Sequence, residues 1–333
     1  MPLTPEERGR AGGPSSSVAG SFWDREIVEQ QHVSWLEHPI VREYVNGMVG
    51  GWPLDWFQQW LGGRRFERGL SIGCGGGALE RDLVLRNLCD RIDAFDGSVN
   101  SLRLARVAAR SAGAQHRIRY FAADFNEPVL PPDTYDLVLF HQSAHHVAKL
   151  EKLYRAILRS MKASALLYLD EYVGPSRADW DDRRMRPHRR IYASLPAAVR
   201  QLEHLPYPIQ ADDPSEAIRS SEIEPQLRIG FRTVARRPYG GTLLSVLFPV
   251  LRSEALSDAL VQRLIDEERR LLHDGAPSYY SVIVAEPRRG AAAAWANLHY
   301  FAVPKAKRLL GLGVAGRILR RAQRFVTKRV TAA

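Results

Sequence analysis

The sequence predicts an α/β protein with a Rossmann-like, doubly wound, seven-stranded sheet, and three observations point to it. Apolar segments of strand length alternate with helical segments from Leu70 to Tyr172, the pattern of βαβ units around a parallel sheet. A glycine run, Gly73-Cys74-Gly75-Gly76-Gly77, joins the first strand to the first helix. Acids then end the next two apolar segments, at Asp96 and Asp124. In such sheets ligands bind outside the carboxyl ends of the strands, where the glycine run and both acids fall.

Along the chain, residues 1–20 are rich in Pro, Gly and Ser and are expected to be disordered. Residues 21–66 read as a helical cap carrying Trp23, Trp35, Trp52, Trp56 and Trp60, most of them core, packed over the cofactor end. The main domain is expected over 67–287. Its strands continue through Ile92–Phe95, Tyr120–Phe125 and Tyr135–Phe140, with a fifth ending near Tyr172. Residues 176–228 read as a helical lid inserted after strand five. Arg183, Arg184, Arg186, Arg189 and Arg190 in it either face an acceptor's anionic groups or are neutralised by Asp179, Asp181 and Asp182. Phe231–Ala235 and Tyr279–Ala285 are expected to form a terminal antiparallel hairpin, with apolar helices over 243–272 between them.

The glycine run lets backbone approach a ligand that any Cβ would push away, and the next helix offers free N–H groups to an anion. Gly73, Gly75 and Ala78 also satisfy the G-x-G-x-x-G/A pattern of nicotinamide enzymes, and both cofactor classes want an acid such as Asp96 for ribose hydroxyls. Asp124 beside Phe125 separates the two, because the pair suits an adenine amino group and an adenine face.

The order of these pieces, from Leu70 to Glu286, resembles the class I S-adenosylmethionine-dependent methyltransferases. That resemblance implies S-adenosylmethionine as cofactor. It implies Gly73, Gly75 and Gly77 at the methionine end, Asp96 on the ribose, and Asp124 with Phe125 on the adenine, with Cys74 and His141 also among the cofactor-binding residues. Trp35-Leu36-Glu37-His38-Pro39 and Asp170-Glu171-Tyr172-Val173-Gly174-Pro175-Ser176-Arg177 look like a bacterial subgroup associated with surface-polysaccharide or glycolipid synthesis. Two positions depart from the family pattern. Ser71 stands where an acid usually helps hold the methionine ammonium, and Lys162-Ala163-Ser164-Ala165 replaces the usual Lys-Pro-Gly-Gly turn.

Composition bounds the rest. A chain of 333 residues that is 45% hydrophobic can bury a full core. No run of about 18 apolar residues and no secretory leader is visible, so a cytoplasmic protein is expected. Cys74 and Cys89 alone make neither a disulfide framework nor a zinc cluster. The net charge of +10 belongs to residues 288–333, which hold eleven Lys or Arg and no acid. There Arg317, Arg320, Arg321, Arg324 and Lys328 recur at helical spacing, reading as either a basic amphipathic tail for peripheral contact with the inner membrane face or a solvated one. Gly311, Gly313 and Gly316 have no strand before them and no acid after them, so they are not a nucleotide site.

Methyl transfer is an in-line displacement that needs alignment and exclusion of water. A hydroxyl acceptor gains from a base; of His141, His145 and His146 just beyond strand four, His145 is the first choice, and Glu171 after strand five is the second. No metal is expected, since neither His-Glu-x-x-His nor a Cys/His set is present. The strand-four segment His141-Gln142-Ser143-Ala144 lacks the Asn/Asp-Pro-Pro-Tyr/Phe of base N-methylating enzymes, so nucleic acid is disfavoured. The expected function is methyl transfer to a hydroxyl of a small-molecule or lipid-linked glycan acceptor. The alternatives are an inactive, membrane-associated subunit of the same fold and a nicotinamide-dependent oxidoreductase.

Overall fold

The strands that read as near-continuous apolar runs lie in the middle of one sheet, covered on both faces as such strands must be. The computed structural model describes residues 34–309. Helices α1 (Pro39–Val49) and α2 (Pro53–Leu61) precede β1 (Phe66–Ile72). The alternating half follows as α3 (Ala78–Leu85), β2 (Cys89–Asp96), α4 (Val99–Ser111), β3 (Ile118–Ala122), β4 (Tyr135–His141), α5 (Leu150–Ser160) and β5 (Met161–Tyr172). The remainder carries α6 (Asp182–Ala193), α7 (Ile223–Gly230), β6 (Phe231–Pro238), α8 (Leu244–Leu247), α9 (Asp258–His273), β7 (Tyr280–Pro287) and α10 (Ala291–Leu309).

The seven strands run in the order β3-β2-β1-β4-β5-β7-β6. β1 to β5 are parallel, and β7 is antiparallel to both its neighbours. The sheet is therefore the doubly wound, seven-stranded one expected, and it reverses direction of winding between β1 and β4. Along β4, Leu137 and Leu139 join the core on one face while Val138 and Phe140 join the other, which fixes the register. On α5, Leu150, Leu153, Tyr154 and Ile157 recur at helical spacing and are all buried against the second of these cores.

Several local expectations change. The missing glycine turn before strand five is not replaced by another turn, because α5 ends at Ser160 and β5 begins at Met161. The late strands are longer than read, and the helical stretch between them is broken into α8, short 3-10 turns and α9. Trp35 and Trp56 are core as expected, but Trp60 is partly exposed. The described part of the cap packs through Trp35 on Tyr280 and Phe57 on Tyr168, at 5.2 and 4.6 Å between ring centroids, against the β5–β7 side of the sheet. It does not reach the cavity at the glycine loop. The segment from 288 does not begin as a free tail, since Ala296 and Tyr300 of α10 are buried. Trp23 and the basic positions from Arg317 onward lie outside the described residues, as do residues 1–20. Among the described residues no helix is long and apolar enough to cross a membrane.

Candidate active site

The winding reversal opens a cavity of about 250 Å³ at the carboxyl ends of β1, β2 and β4. Its wall includes Gly73, Cys74, Gly75 and Gly76 from the loop after β1, Asp96 from the end of β2, and His141 from the end of β4. Phe125 closes one side. A Cβ at Gly75 or Gly76 would meet no protein atom within 4 Å, so the backbone itself forms this wall. The Asp96 carboxylate is held from both oxygens, by the Gly75 N–H at 2.8 Å and the Ser98 N–H at 2.8 Å. Two positions expected to touch the cofactor are placed differently. Gly77 caps α3 with φ +72°, and a Cβ there would collide with the Tyr120 hydroxyl, so it brings helix and sheet together instead of lining the cavity. Asp124 lies outside the lining and accepts the Asn126 N–H at 2.7 Å.

A residue that sequence reasoning missed is Glu80, in the first turn of α3. It is 1% exposed, it lines the cavity, and Ser71 Oγ donates to its Oε1. Its Oε2 is buried with no hydrogen-bond partner. Burial raises the Glu80 carboxyl above its ordinary value, and the Ser71 hydroxyl opposes this. A carboxylate is thus present beside residue 71 although the sequence has serine there. Its signal was an acid in the first turn of the helix, which reads equally as a favourable dipole contact.

The histidines of the β4 loop form a second group. His141, half exposed, has Nε2 3.7 Å from Asp170 Oδ2, its neighbour across the β4–β5 pairing. His145 and His146 are both buried, and His146 lines the cavity. Glu171 is fully buried at the end of β5, where its Oε1 accepts the Ser143 and Ala144 N–H groups at 2.5 and 2.6 Å and its Oε2 faces His145 Nδ1 at 3.0 Å. The two expected catalytic residues are therefore in contact, with Glu171 orienting His145 and the loop. The inserted segment adds Glu216, whose Oε2 lies 3.6 Å from His145 Nε2 and 3.5 Å from His146 Nε2. The segment is pinned there by the Ile218 N–H on His145 O at 3.1 Å and by Arg219, paired with Glu151 at 2.7 Å. It reaches the two histidines through Glu216, while Arg189 pairs with Asp182 and none of the expected arginines lines the cavity.

Burial pulls the His145 imidazole down, but Glu216, Glu171 and Asp213 outweigh it and hold it above the ordinary value. Burial and then the His145 charge push His146 down. Burial, reinforced by Glu80 and Asp96, raises the Cys74 thiol well above the ordinary value, so it is no thiolate nucleophile.

Residues 70–169 match the family model described as "Methyltransferase domain". Over these residues the chain is similar to a methyltransferase domain. It is 26% identical over 122 residues to sterol 24-C-methyltransferase erg6 of Aspergillus fumigatus, covering 37% of this chain and 31% of that protein. It is 28% identical over 116 residues to the ubiquinone biosynthesis O-methyltransferase of Aeromonas salmonicida, covering 35% and 48%. The chain thus spans about a third and about half the length of these curated relatives. Among solved structures, geranyl diphosphate C-methyltransferase from Streptomyces coelicolor aligns at 14% identity with a TM-score of 0.49, over 84% of this chain and all of that one. S-adenosylmethionine, the cofactor of a methyltransferase domain with this loop, fits the residues present. The open glycine backbone leaves room for it, Asp96 presents a fixed carboxylate, and the orphaned oxygen of Glu80 matches a buried ammonium.

Proposed function

We propose that the protein transfers the methyl group of S-adenosylmethionine to a hydroxyl oxygen of a small acceptor: a glycan, a glycolipid or a metabolite. The observation that carries this reading is one cavity bounded by bare glycine backbone and lined also by Asp96 and Glu80. When bound, the cofactor supplies a methyl group on a positively charged sulfur. Asp96 would accept the ribose hydroxyls, Phe125 would cover the adenine, and Glu80 would hold the methionine ammonium. Because Glu80 answers the missing acid at residue 71, the one feature suggesting a lost cofactor site no longer favours an inactive subunit.

Alignment supplies much of the rate in such a displacement, and the protein's other task is the acceptor's proton. The two curated relatives are named for a carbon and an oxygen methylation. Oxygen is favoured here because His146 brings the His145–His146–Glu216 group to the cavity wall, where a hydroxyl proton could be drawn off. The basic residues of 288–333 support a lipid-linked acceptor at an anionic surface. Calorimetric titration with S-adenosylmethionine, S-adenosylhomocysteine and NAD tests the reading. Binding of the first two alone is expected, whereas NAD binding, or none, rejects it.

A further inference from the structure

The Nε2 atoms of His145 and His146 both face Glu216 Oε2, and the partners of their Nδ1 atoms are defined. Ser215 Oγ donates to Asp213 Oδ1 at 2.5 Å, so it must accept from His146 Nδ1 at 3.0 Å. That places the His146 proton on Nδ1 and leaves an Nε2 lone pair toward Glu216. On His145 the Glu171 carboxylate faces Nδ1 at 3.0 Å and likewise fixes the proton there. Two imidazole nitrogens and a carboxylate oxygen then converge on one spot, where a positive charge belongs: a proton on His145 Nε2 or a bound metal ion.

The spacing says which kind of cation. The contacts from Glu216 Oε2, 3.6 Å to His145 Nε2 and 3.5 Å to His146 Nε2, are too long for N–H···O bonds. Ligands at about 2.0–2.2 Å from a tetrahedral ion stand about 3.3–3.5 Å apart. The three ligand atoms all lie within 4.8 Å of one another. Each histidine is also held through its other nitrogen, one by a buried carboxylate and one by a serine backed by a buried aspartate, the usual support of a metal-binding imidazole.

We infer that His145, His146 and Glu216 form a binding site for one divalent first-row transition ion, zinc foremost. Two imidazole ligands disfavour magnesium and calcium, which take oxygen. Three protein ligands leave a coordination position open, the arrangement of catalytic rather than structural zinc. With His146 in the cavity wall, an acceptor hydroxyl is the natural fourth ligand, and an ion there would ease loss of its proton in place of a free imidazole base. That last point rests on the methyl-transfer reading; the ion site does not. The absence of a ligand pattern in the sequence is explained by Glu216, which lies 70 positions beyond His146 and reaches it only through the inserted segment.

The test is calorimetric titration of tag-free, chelator-treated full-length protein with zinc chloride, with magnesium chloride as control and cobalt(II) read by its visible absorption. One zinc per chain and an intense cobalt band of low-coordinate geometry are expected, with no magnesium binding. Glu216→Ala, at a partly exposed position, should weaken zinc at least tenfold and abolish the cobalt band, as should His146→Ala. Glu216→Gln, which preserves shape, should weaken zinc as well, and melting curves establish that each variant is folded. No stoichiometric zinc in the parent protein, or equal affinity in folded Glu216→Ala and Glu216→Gln, overturns the site and leaves a cluster neutralised by a proton. Cofactor titration of the same samples separates this failure from failure of the methyl-transfer reading.

Discussion

Asp96 and Glu80 are carboxylates with opposite histories, and each predicts a different experiment. Asp96 is held by two backbone N–H groups, so Asp96→Ala should leave the fold intact and weaken S-adenosylmethionine at least tenfold, about 1.4 kcal/mol, by calorimetry. Glu80 is buried with one oxygen unpaired, and burial raises its carboxyl. Between the ordinary and the raised value, the folded chain keeps a proton that the unfolded chain releases. The stability this group contributes is therefore present below the ordinary value and is lost as pH rises through that window. Glu80→Gln removes the loss, so its melting temperature at neutral pH should equal or exceed that of the parent protein. Its cofactor affinity should fall about tenfold or more. In the parent, affinity should decline on acidification from a pH above the range of an exposed glutamate, as the carboxyl protonates; the glutamine variant should show no such decline. Equal affinity of parent and variant at neutral pH would remove Glu80 from the cofactor's ammonium.

At the scale of elements, the loop between β1 and α3 is held open by glycines with different duties. Gly77→Ala would place a Cβ at φ +72°, 3.0 Å from Ala105 Cβ and against the Tyr120 hydroxyl. It should cost about 1–3 kcal/mol in denaturant unfolding, with the loss lying in helix–sheet packing rather than in direct cofactor contact. That division of labour was not visible in Gly73-Cys74-Gly75-Gly76-Gly77, where three alternate glycines look alike. Legible features were those set by local rules: the period of α5, the apolar run of β4, and the acid at the end of β2. Glu80 and Glu216 were not, because their meaning comes from what they meet. Ser71 lies nine positions before Glu80 on a different element, and the partners of Glu216 are brought to it by an irregular stretch fixed through Arg219 and Ile218. The arginines of the insertion were conspicuous for the converse reason, since charge shows in a sequence, and of its two readings Arg189 takes the neutralised one by pairing with Asp182.

For the whole molecule, the question is where the catalytic body ends and the basic segment begins. Composition shifts at 288, yet the fold does not end there. Tyr300 is buried on α10, donates to Gln226 O at 2.6 Å, and accepts the Gly230 N–H at 3.1 Å. Its ring lies 6.2 Å from that of Tyr154 on α5. Truncation after Pro287 would uncover this core, and Tyr300→Ala alone should cost about 3 kcal/mol in unfolding, by analogy with other large aromatic truncations. Truncation after Leu309 removes Arg317, Arg320, Arg321, Arg324 and Lys328 but leaves Tyr300 in the chain. The shorter protein should keep its melting temperature and cofactor affinity and should no longer co-sediment with vesicles rich in anionic lipid. Because each cation near such a surface contributes about 1 kcal/mol, the binding it loses should also weaken steeply with salt in the parent protein. Retained co-sedimentation after this truncation would move any membrane contact onto the folded body, whereas a fall in cofactor affinity would show that the last segment serves the cavity instead.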